Sequence, residues 1–138
     1  MIEEIKHIGI AVKNINESID IYCRILGFSL IHREIIETRK VEIAFLDGKN
    51  ILIELVADIN DGQMIKHFIG KKGEGLHHIA IQVEDIRSKI AFLRSNGINL
   101  IDDEPRIGAH SNLVAFVHPS SFNGVLIELC EDDSNHET

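Results

Sequence analysis

The sequence contains no tryptophan, one tyrosine and six phenylalanines among its 138 residues. Hydrophobic residues still make up 44% of the chain, which is enough for a substantial core. That core must consist mainly of isoleucine, leucine and valine, and β-branched side chains favour strands. The length is that of about one domain. The shortage of large aromatics therefore predicts one domain that is rich in β-structure.

Basic residues are also scarce. The chain has 14 lysines and arginines but 22 aspartates and glutamates, so its net charge is −8. A chain without a basic stripe cannot neutralise phosphates along a nucleic acid, which excludes a nucleic-acid binder. The sequence has no amino-terminal signal pattern and no apolar run of about twenty residues, so we expect no contact with a membrane.

Cysteine is nearly absent as well. Cys23 and Cys130 are too few and too far apart for a disulfide framework or a cysteine-rich zinc site. We expect both to be small buried residues in a reduced, cytoplasmic protein.

The chain does contain an internal repeat. Residues 7–19, HIGIAVKNINESI, and residues 78–90, HIAIQVEDIRSKI, are identical at six of thirteen positions without a gap. The two copies also end alike, in ILIELV and VLIELC, which aligns Glu54 with Glu128. A duplicated unit tends to fold as two similar modules, so the sequence predicts two modules that face each other.

Each copy carries the pattern of a βαβββ unit. In the first copy we predict strands at 5–12, 28–36, 40–47 and 50–56 and a helix at 15–26, with a hairpin turn at Asp47–Gly48. In the second copy we predict strands at 76–83, 98–102, 112–118 and 124–131 and a helix at 86–96. The predicted module limits are 5–56 and 75–131, with a bridge at 57–74 that contains a short helix and an acidic tail at 132–138. The predicted fold class is α+β, with two tandem modules whose curled mixed sheets surround a shared metal-binding cleft.

The alternation of side chains along a strand predicts which histidines face that cleft. Ile8 and Ile10 suit packing against the first helix. Because side chains alternate along the strand, His7 then lies on the opposite face. The same parity in the second copy selects His78 rather than the adjacent His77.

Glu54 and Glu128 each lie between apolar residues in a closing strand, where burial of a carboxylate is costly unless a cation compensates. Two imidazoles and two carboxylates suit a divalent transition metal that keeps positions open for substrate. A lone strand histidine is usually a core or surface residue, but the repeat places all four groups in matched positions. We therefore predict one divalent metal ion held by His7, Glu54, His78 and Glu128. The other histidines lack such placement and are interpreted as polar surface residues, with His110 and His118 also candidates for the cleft mouth: His32, His67, His110, His118 and His136.

The stretches GEGLHHIAIQVEDI, DEPRIGAHSNLVAFVHP and NGVLIELCE resemble the methylmalonyl-CoA epimerase family of the vicinal oxygen chelate (glyoxalase/bleomycin resistance/dioxygenase) superfamily. The resemblance covers about residues 5–131. It implies His7, His78 and Glu128 as metal ligands and places the fourth ligand at Glu54, where some family members have glutamine. It also implies divalent cobalt as the cofactor, with zinc, nickel or manganese as related ions.

The resemblance implies a metal-dependent epimerase that interconverts (R)- and (S)-methylmalonyl-CoA through an enolate, with two carboxylates as base and acid. Glu128 and Glu42 are the implied pair, because Glu42 lies in a V-E-I segment like that of the family. By parity Glu42 shares a strand face with Ala44 and Leu46, and it aligns with Leu113 at a break in the duplication. An exposed polar strand residue is the other interpretation of Glu42.

An acyl-CoA substrate carries several phosphates, so basic residues should lie near the cleft mouth. Arg106, in the family-like loop, and His110 are the candidate substrate-binding residues. A homodimer is implied by the resemblance alone.

Three other functions fit parts of the pattern. A glyoxalase I-like lactoylglutathione lyase would use four protein ligands, two of them glutamates, on the same scaffold. An extradiol-type dioxygenase needs two histidines and one carboxylate, and Glu54 would crowd that site. A metal-free binding module would have no reason to keep all four ligands in register.

Overall fold

The computed structural model describes residues 2–132 and has an α+β fold. The chain forms two compact units: the first unit is His7–His77, and the second unit comprises the residues before His7 and those from His78 onward. The predicted tail, from residue 133, lies outside the described residues. Within residues 2–132, no helix has the length and apolar character that a membrane-spanning helix needs.

The first unit contains a mixed sheet and two α-helices. Its elements are β1 (Ile2–Ala11, from His7 onward), α1 (Ile15–Asp20), β2 (Ser29–Ile36), β3 (Val41–Asp47), β4 (Leu52–Asp58) and α2 (Met64–Lys72). The strand order is β2-β3-β4-β1, in which β1 runs parallel to β4 and the other pairs are antiparallel. The predicted order of strand, helix and three strands is confirmed.

The α1 helix covers one face of this sheet. Val12, Ile15, Ala44 and Leu55 belong to the buried cluster beneath it, and Ile10 packs against that cluster. The helix continues after Asp20 as a π-helix, Ile21–Ile25, and the chain turns at Gly27 with a φ of 87°. Glycine adopts such a φ without strain. The predicted helix over 15–26 therefore ends at Gly27, as expected.

The turn between β3 and β4 fixes the register of the two strands. Asp47 pairs with Leu52, and Gly48 donates its backbone N–H to the carbonyl of Ile51 at 3.0 Å. A Cβ at Gly48 would lie 2.3 Å from that carbonyl oxygen, so only glycine fits. The predicted turn at Asp47–Gly48 is confirmed, and its register sets Phe45 directly opposite Glu54.

The second unit repeats the arrangement. Its elements are β5 (Gly75–Val83, from His78 onward), α3 (Ile86–Ser95), β6 (Arg106–Ile107), β7 (Leu113–Val117) and β8 (Ile127–Glu131), in the strand order β5-β8-β7-β6. Ile86, Ile90 and Leu93 of α3 pack on Ala115 and Leu129 of the sheet.

Two carboxylates cap the start of α3. The side chain of Asp85 accepts the backbone N–H of Ser88, and that of Glu131 accepts the backbone N–H of Ile86. The hydrogen bond from Ser88 holds the pKa of Asp85 below its usual range. The predicted start of this helix, with Asp85 as its N-cap, is confirmed.

The prediction of a strand at 98–102 is wrong. In this segment only Leu100 forms an isolated bridge, to Val117, and the strand next to β7 is the two-residue β6. The carboxylate of Asp102 accepts the backbone N–H of Phe116 at 2.8 Å. The Asp102 side chain thus accepts a backbone N–H that a neighbouring strand would otherwise bond to. The hydrogen-bond ladder between this segment and β7 therefore cannot extend.

The two cysteines differ in exposure. Cys130 is buried, as expected, whereas Cys23 is only partly buried where it packs against the cluster under α1.

Candidate functional site

The first unit contains a buried histidine–glutamate pair. Nε2 of His7, on β1, lies 3.5 Å from Oε1 of Glu54, on β4, and the two side chains are 4% and 8% exposed. The parallel register places Glu54 beside Gly9, two residues after His7, so both side chains share one face. The ring of Phe45, opposite Glu54 on β3, meets the imidazole edge-on at 5.3 Å.

The second unit contains the same arrangement. Nε2 of His78 lies 3.7 Å from Oε1 of Glu128, and the side chains are 2% and 9% exposed. The register places Glu128 beside Ala80, again two residues after the histidine, and opposite Phe116. The Phe116 ring meets His78 edge-on at 5.7 Å.

His77 is directed elsewhere, as the alternation along β5 requires. Its ring meets Phe68 of α2 at 4.7 Å, within the first unit. His78 rather than His77 is therefore the partner of a glutamate.

The donor atoms of the first pair have the spacing of two ligands of one ion, and those of the second pair lie 0.2 Å further apart, at 3.7 Å rather than 3.5 Å. A charge-assisted hydrogen bond is roughly 2.7–2.9 Å long, which is shorter than either separation. Two ligand atoms joined to one ion by bonds of about 2.1 Å lie roughly 3–3.5 Å apart. Burial also makes the carboxylates costly without a cation nearby. The chemistry and spacing of each pair therefore fit a divalent metal ion.

Glu42 lies apart from the pair of the first unit, and its assignment as a catalytic residue stays a prediction. On β3 it pairs with Ala57, on the face that carries Ala44 and the cluster under α1. Phe45 and Glu54 lie on the other face. The Glu42 carboxylate instead accepts from the guanidinium of Arg33, 2.7 Å from Nη2. The alternative interpretation, a polar strand residue, describes its environment.

The two candidate substrate-binding residues lie on one stretch of the second unit. Arg106 starts β6, and its Nη2 lies 3.1 Å from Oδ1 of Asp102, with the arginine side chain 53% exposed. His110 is exposed and has a φ of 58°, and the next residue, Ser111, has a φ of 59°. Two consecutive non-glycine residues in this region carry backbone strain, which is common at functional loops.

The first unit contains a second histidine–glutamate pair that was not predicted from the sequence. On β2, Nε2 of His32 lies 3.0 Å from Oε1 of Glu34, and the side chains are about one-third exposed. The His32 ring also stacks on Phe45, with 6.3 Å between centroids. The alternating H-R-E segment was the available signal, but the face that it occupies depends on an irregularity in β2.

Comparison with known proteins identifies the family. Residues 6–116 match the Glyoxalase/Bleomycin resistance protein/Dioxygenase superfamily, and the chain belongs to this superfamily. It is 36% identical to the mitochondrial methylmalonyl-CoA epimerase of Dictyostelium discoideum, over 94% of this chain and 79% of that one.

Two solved structures extend the similarity to the fold. The methylmalonyl-CoA epimerase from Mycobacterium tuberculosis has a TM-score of 0.88 and 33% identity, over 95% of this chain and 89% of that one. This chain is also similar to a variant of the Streptomyces coelicolor methylmalonyl-CoA epimerase in complex with 2-nitronate-propionyl-CoA. The TM-score is again 0.88, with 31% identity over 97% of both chains. The expected resemblance to methylmalonyl-CoA epimerases is confirmed.

Proposed function

We propose that this protein is a metal-dependent methylmalonyl-CoA epimerase. The observation that carries the proposal is the duplicated pair of buried ligands, His7 with Glu54 and His78 with Glu128. Similarity to epimerases over nearly the whole chain supports the substrate class, because one of those relatives holds an acyl-CoA analogue.

The proposed metal site joins the two pairs, so that His7, Glu54, His78 and Glu128 hold one divalent ion. Imidazole and carboxylate together suit cobalt, zinc, nickel and manganese, and cobalt is the first expectation. A bound divalent ion supplies positive charge that lowers the energy of an enolate.

The proposed reaction inverts the carbon between the thioester and the carboxylate. A carboxylate oxygen of Glu128 accepts the α-proton from one face while the electron pair of the C–H bond moves into the enolate. A second group then donates a proton to the opposite face, so no atom is gained or lost. Burial of Glu128 keeps water away from the step.

Arg106 and His110 are the proposed contacts to the coenzyme A part of the substrate. Asp102 holds the Arg106 guanidinium from one side, and the exposed remainder of that side chain is available to a phosphate oxygen. His110 lies four residues further along the same stretch.

A lactoylglutathione lyase is the second candidate, and Glu54 is the residue that favours it. Glu54 gives the proposed site a second carboxylate ligand, as expected for a glyoxalase I-like enzyme. An assay with methylmalonyl-CoA and with the hemithioacetal of glutathione separates the two. Turnover of methylmalonyl-CoA that is at least about a hundredfold faster than turnover of the hemithioacetal supports the epimerase. Faster turnover of the hemithioacetal by the same factor refutes it.

The Glu42→Gln variant tests the predicted catalytic role of Glu42, and the contacts of this carboxylate favour turnover within about twofold of the wild type. The carboxylate lies on the opposite face of β3 from Glu54, and replacement of a partly exposed polar group away from a site changes free energies little. Steady-state epimerisation measures the effect. A loss of a hundredfold or more, with the metal retained, would support the predicted catalytic role of Glu42.

The proposal also includes a homodimer, a cytoplasmic location and a single domain with module limits 5–56 and 75–131. Sedimentation of the purified protein tests the first.

A further inference from the structure

Two of the six phenylalanines repeat together with the proposed metal ligands. Phe45 on β3 and Phe116 on β7 align in the internal repeat, as the second residues of Ala44-Phe45 and Ala115-Phe116. They are 3% and 7% exposed, whereas the other four phenylalanines are partly buried or exposed. Each unit therefore contains three matched buried groups: a histidine, a glutamate and a phenylalanine.

In the first unit, three neighbouring strands bring these groups to one face of the sheet. Phe45 pairs with Glu54 of β4, and Glu54 lies beside Gly9 of β1, two residues after His7. Side chains that are directly opposite on paired strands share a face, with Cβ atoms roughly 4.5–5.5 Å apart. The Phe45 ring also meets the His7 imidazole, with 5.3 Å between centroids and 62° between planes. Phe45 is thus a neighbour of both proposed ligands of this unit.

The second unit repeats the contact. Phe116 pairs with Glu128 of β8, and its ring meets the His78 imidazole at 5.7 Å and 88°. In both units the alanine that precedes the phenylalanine belongs to the buried cluster under the helix, as Ala44 does under α1 and Ala115 under α3. A phenylalanine that served only that cluster would lie on the helix-covered face, because side chains alternate along a strand. The repeated placement on the other face indicates a role toward the ligands.

An edge-on aromatic contact restrains the orientation of an imidazole ring. The second side-chain torsion of histidine has a broad energy minimum, so the ring turns easily unless its neighbours hold it. A turn of the His7 ring would displace Nε2, which lies 3.5 Å from the Glu54 carboxylate. Edge-to-face packing is a favoured arrangement of two rings, and groups that orient a ligand without binding the ion still change metal affinity.

We propose that Phe45 and Phe116 are positioning residues that fix the orientation of the two proposed histidine ligands; this inference rests on the proposed function. Phe45 acts on His7, and Phe116 acts on His78. A phenyl ring has no ligand atom for the ion, so each acts only through its neighbours. The two buried rings also exclude water beside the proposed carboxylate ligands, which strengthens the attraction of those carboxylates for a cation.

The test measures the affinity for cobalt(II) and the visible absorption spectrum of the cobalt-loaded protein. Phe45→Leu and Phe116→Leu keep an apolar side chain but remove the ring. Each should weaken cobalt binding about 10–100-fold in competition with a chelating dye. The absorption bands should shift as well, because they report the geometry of the ligands around the ion. They should remain shifted at saturating cobalt, where incomplete occupancy no longer contributes.

Phe28→Leu and Phe68→Leu are the matched controls in the first unit. Phe28 packs against the cluster under α1, on the opposite face of the sheet, and its ring lies 6.0 Å from that of Tyr22. Phe68 meets His77 edge-on at 4.7 Å, and His77 is not a proposed ligand. Both controls lose a ring, but both should bind cobalt with the affinity and spectrum of the wild type. Urea unfolding of the metal-free proteins measures the loss of stability separately.

Phe45→Met and Phe116→Met give a second variant at each position, because the flexible methionine side chain adapts to the space that the ring leaves. The inference is overturned for either residue if its variants bind cobalt with unchanged affinity and spectrum. It is overturned for both if the two controls weaken binding by the same factor, as loss of stability alone would require. A wild-type protein that binds no cobalt would instead refute the proposed function, and this inference with it.

Discussion

Replacement of His7 by alanine is expected to reduce bound metal from about one ion per chain to a small fraction of that and to lower turnover at least about 10³-fold. The substitution removes one imidazole ligand and leaves the buried Glu54 carboxylate without the partner that lies 3.5 Å away. Loss of the ion removes several kcal/mol of stabilisation from the developing enolate, and each 1.4 kcal/mol is tenfold in rate. Elemental analysis of protein purified without chelator measures the metal directly.

His67→Ala is the matched control for this variant, because it removes an exposed histidine from α2 in the same unit. Its metal content and turnover should equal those of the wild type. Full metal content in His7→Ala, with normal folding, would contradict the proposed ligand set.

Replacement of Glu128 by glutamine is expected to lower epimerisation and α-proton exchange about 10³-fold or more while most of the metal stays bound. Glutamine keeps the size of the side chain and one oxygen for the ion, but it cannot accept a proton. General base catalysis contributes roughly 10²–10⁴-fold, and loss of one ligand charge adds to the effect. Exchange in heavy water and elemental analysis measure the two properties separately.

Glu54→Gln is the matched control here, since Glu54 is equally buried and has the same relation to His7 that Glu128 has to His78. The epimerase proposal expects turnover within about tenfold of the wild type, because Glu54 is a ligand without a proton to transfer. Equal, large losses in both variants would favour the lyase-like use of two carboxylates.

The placement of the proposed metal ligands was predictable because the repeat and the strand alternation supply independent constraints. The repeat matches His7 with His78 and Glu54 with Glu128, and alternation separates His78 from His77. The parallel registers then place each glutamate beside the residue two positions after its histidine. Where a strand is regular, its two-residue period was sufficient to predict which face each side chain occupies.

The errors occur where a single side chain or an extra residue changes the local geometry. The strand expected at 98–102 fails because the Asp102 carboxylate takes the N–H of Phe116. The strand face that His32 occupies was not predictable, because nothing in the segment SLIHREII marks the bulge at Ile31. Glu42 was assigned by a resemblance of its V-E-I segment, although alternation already placed it on the face of Ala44 and Leu46. The structure places Glu42 on that face, as the strand period predicts.

The most direct measurement of the central proposal is deuterium incorporation at the α-carbon of methylmalonyl-CoA, followed before and after removal of metal with a chelator. The account predicts rapid incorporation by the protein as purified, a fall of at least about a hundredfold after chelation, and recovery when cobalt(II) is added back. Undiminished incorporation by protein that elemental analysis shows to be free of metal would contradict it.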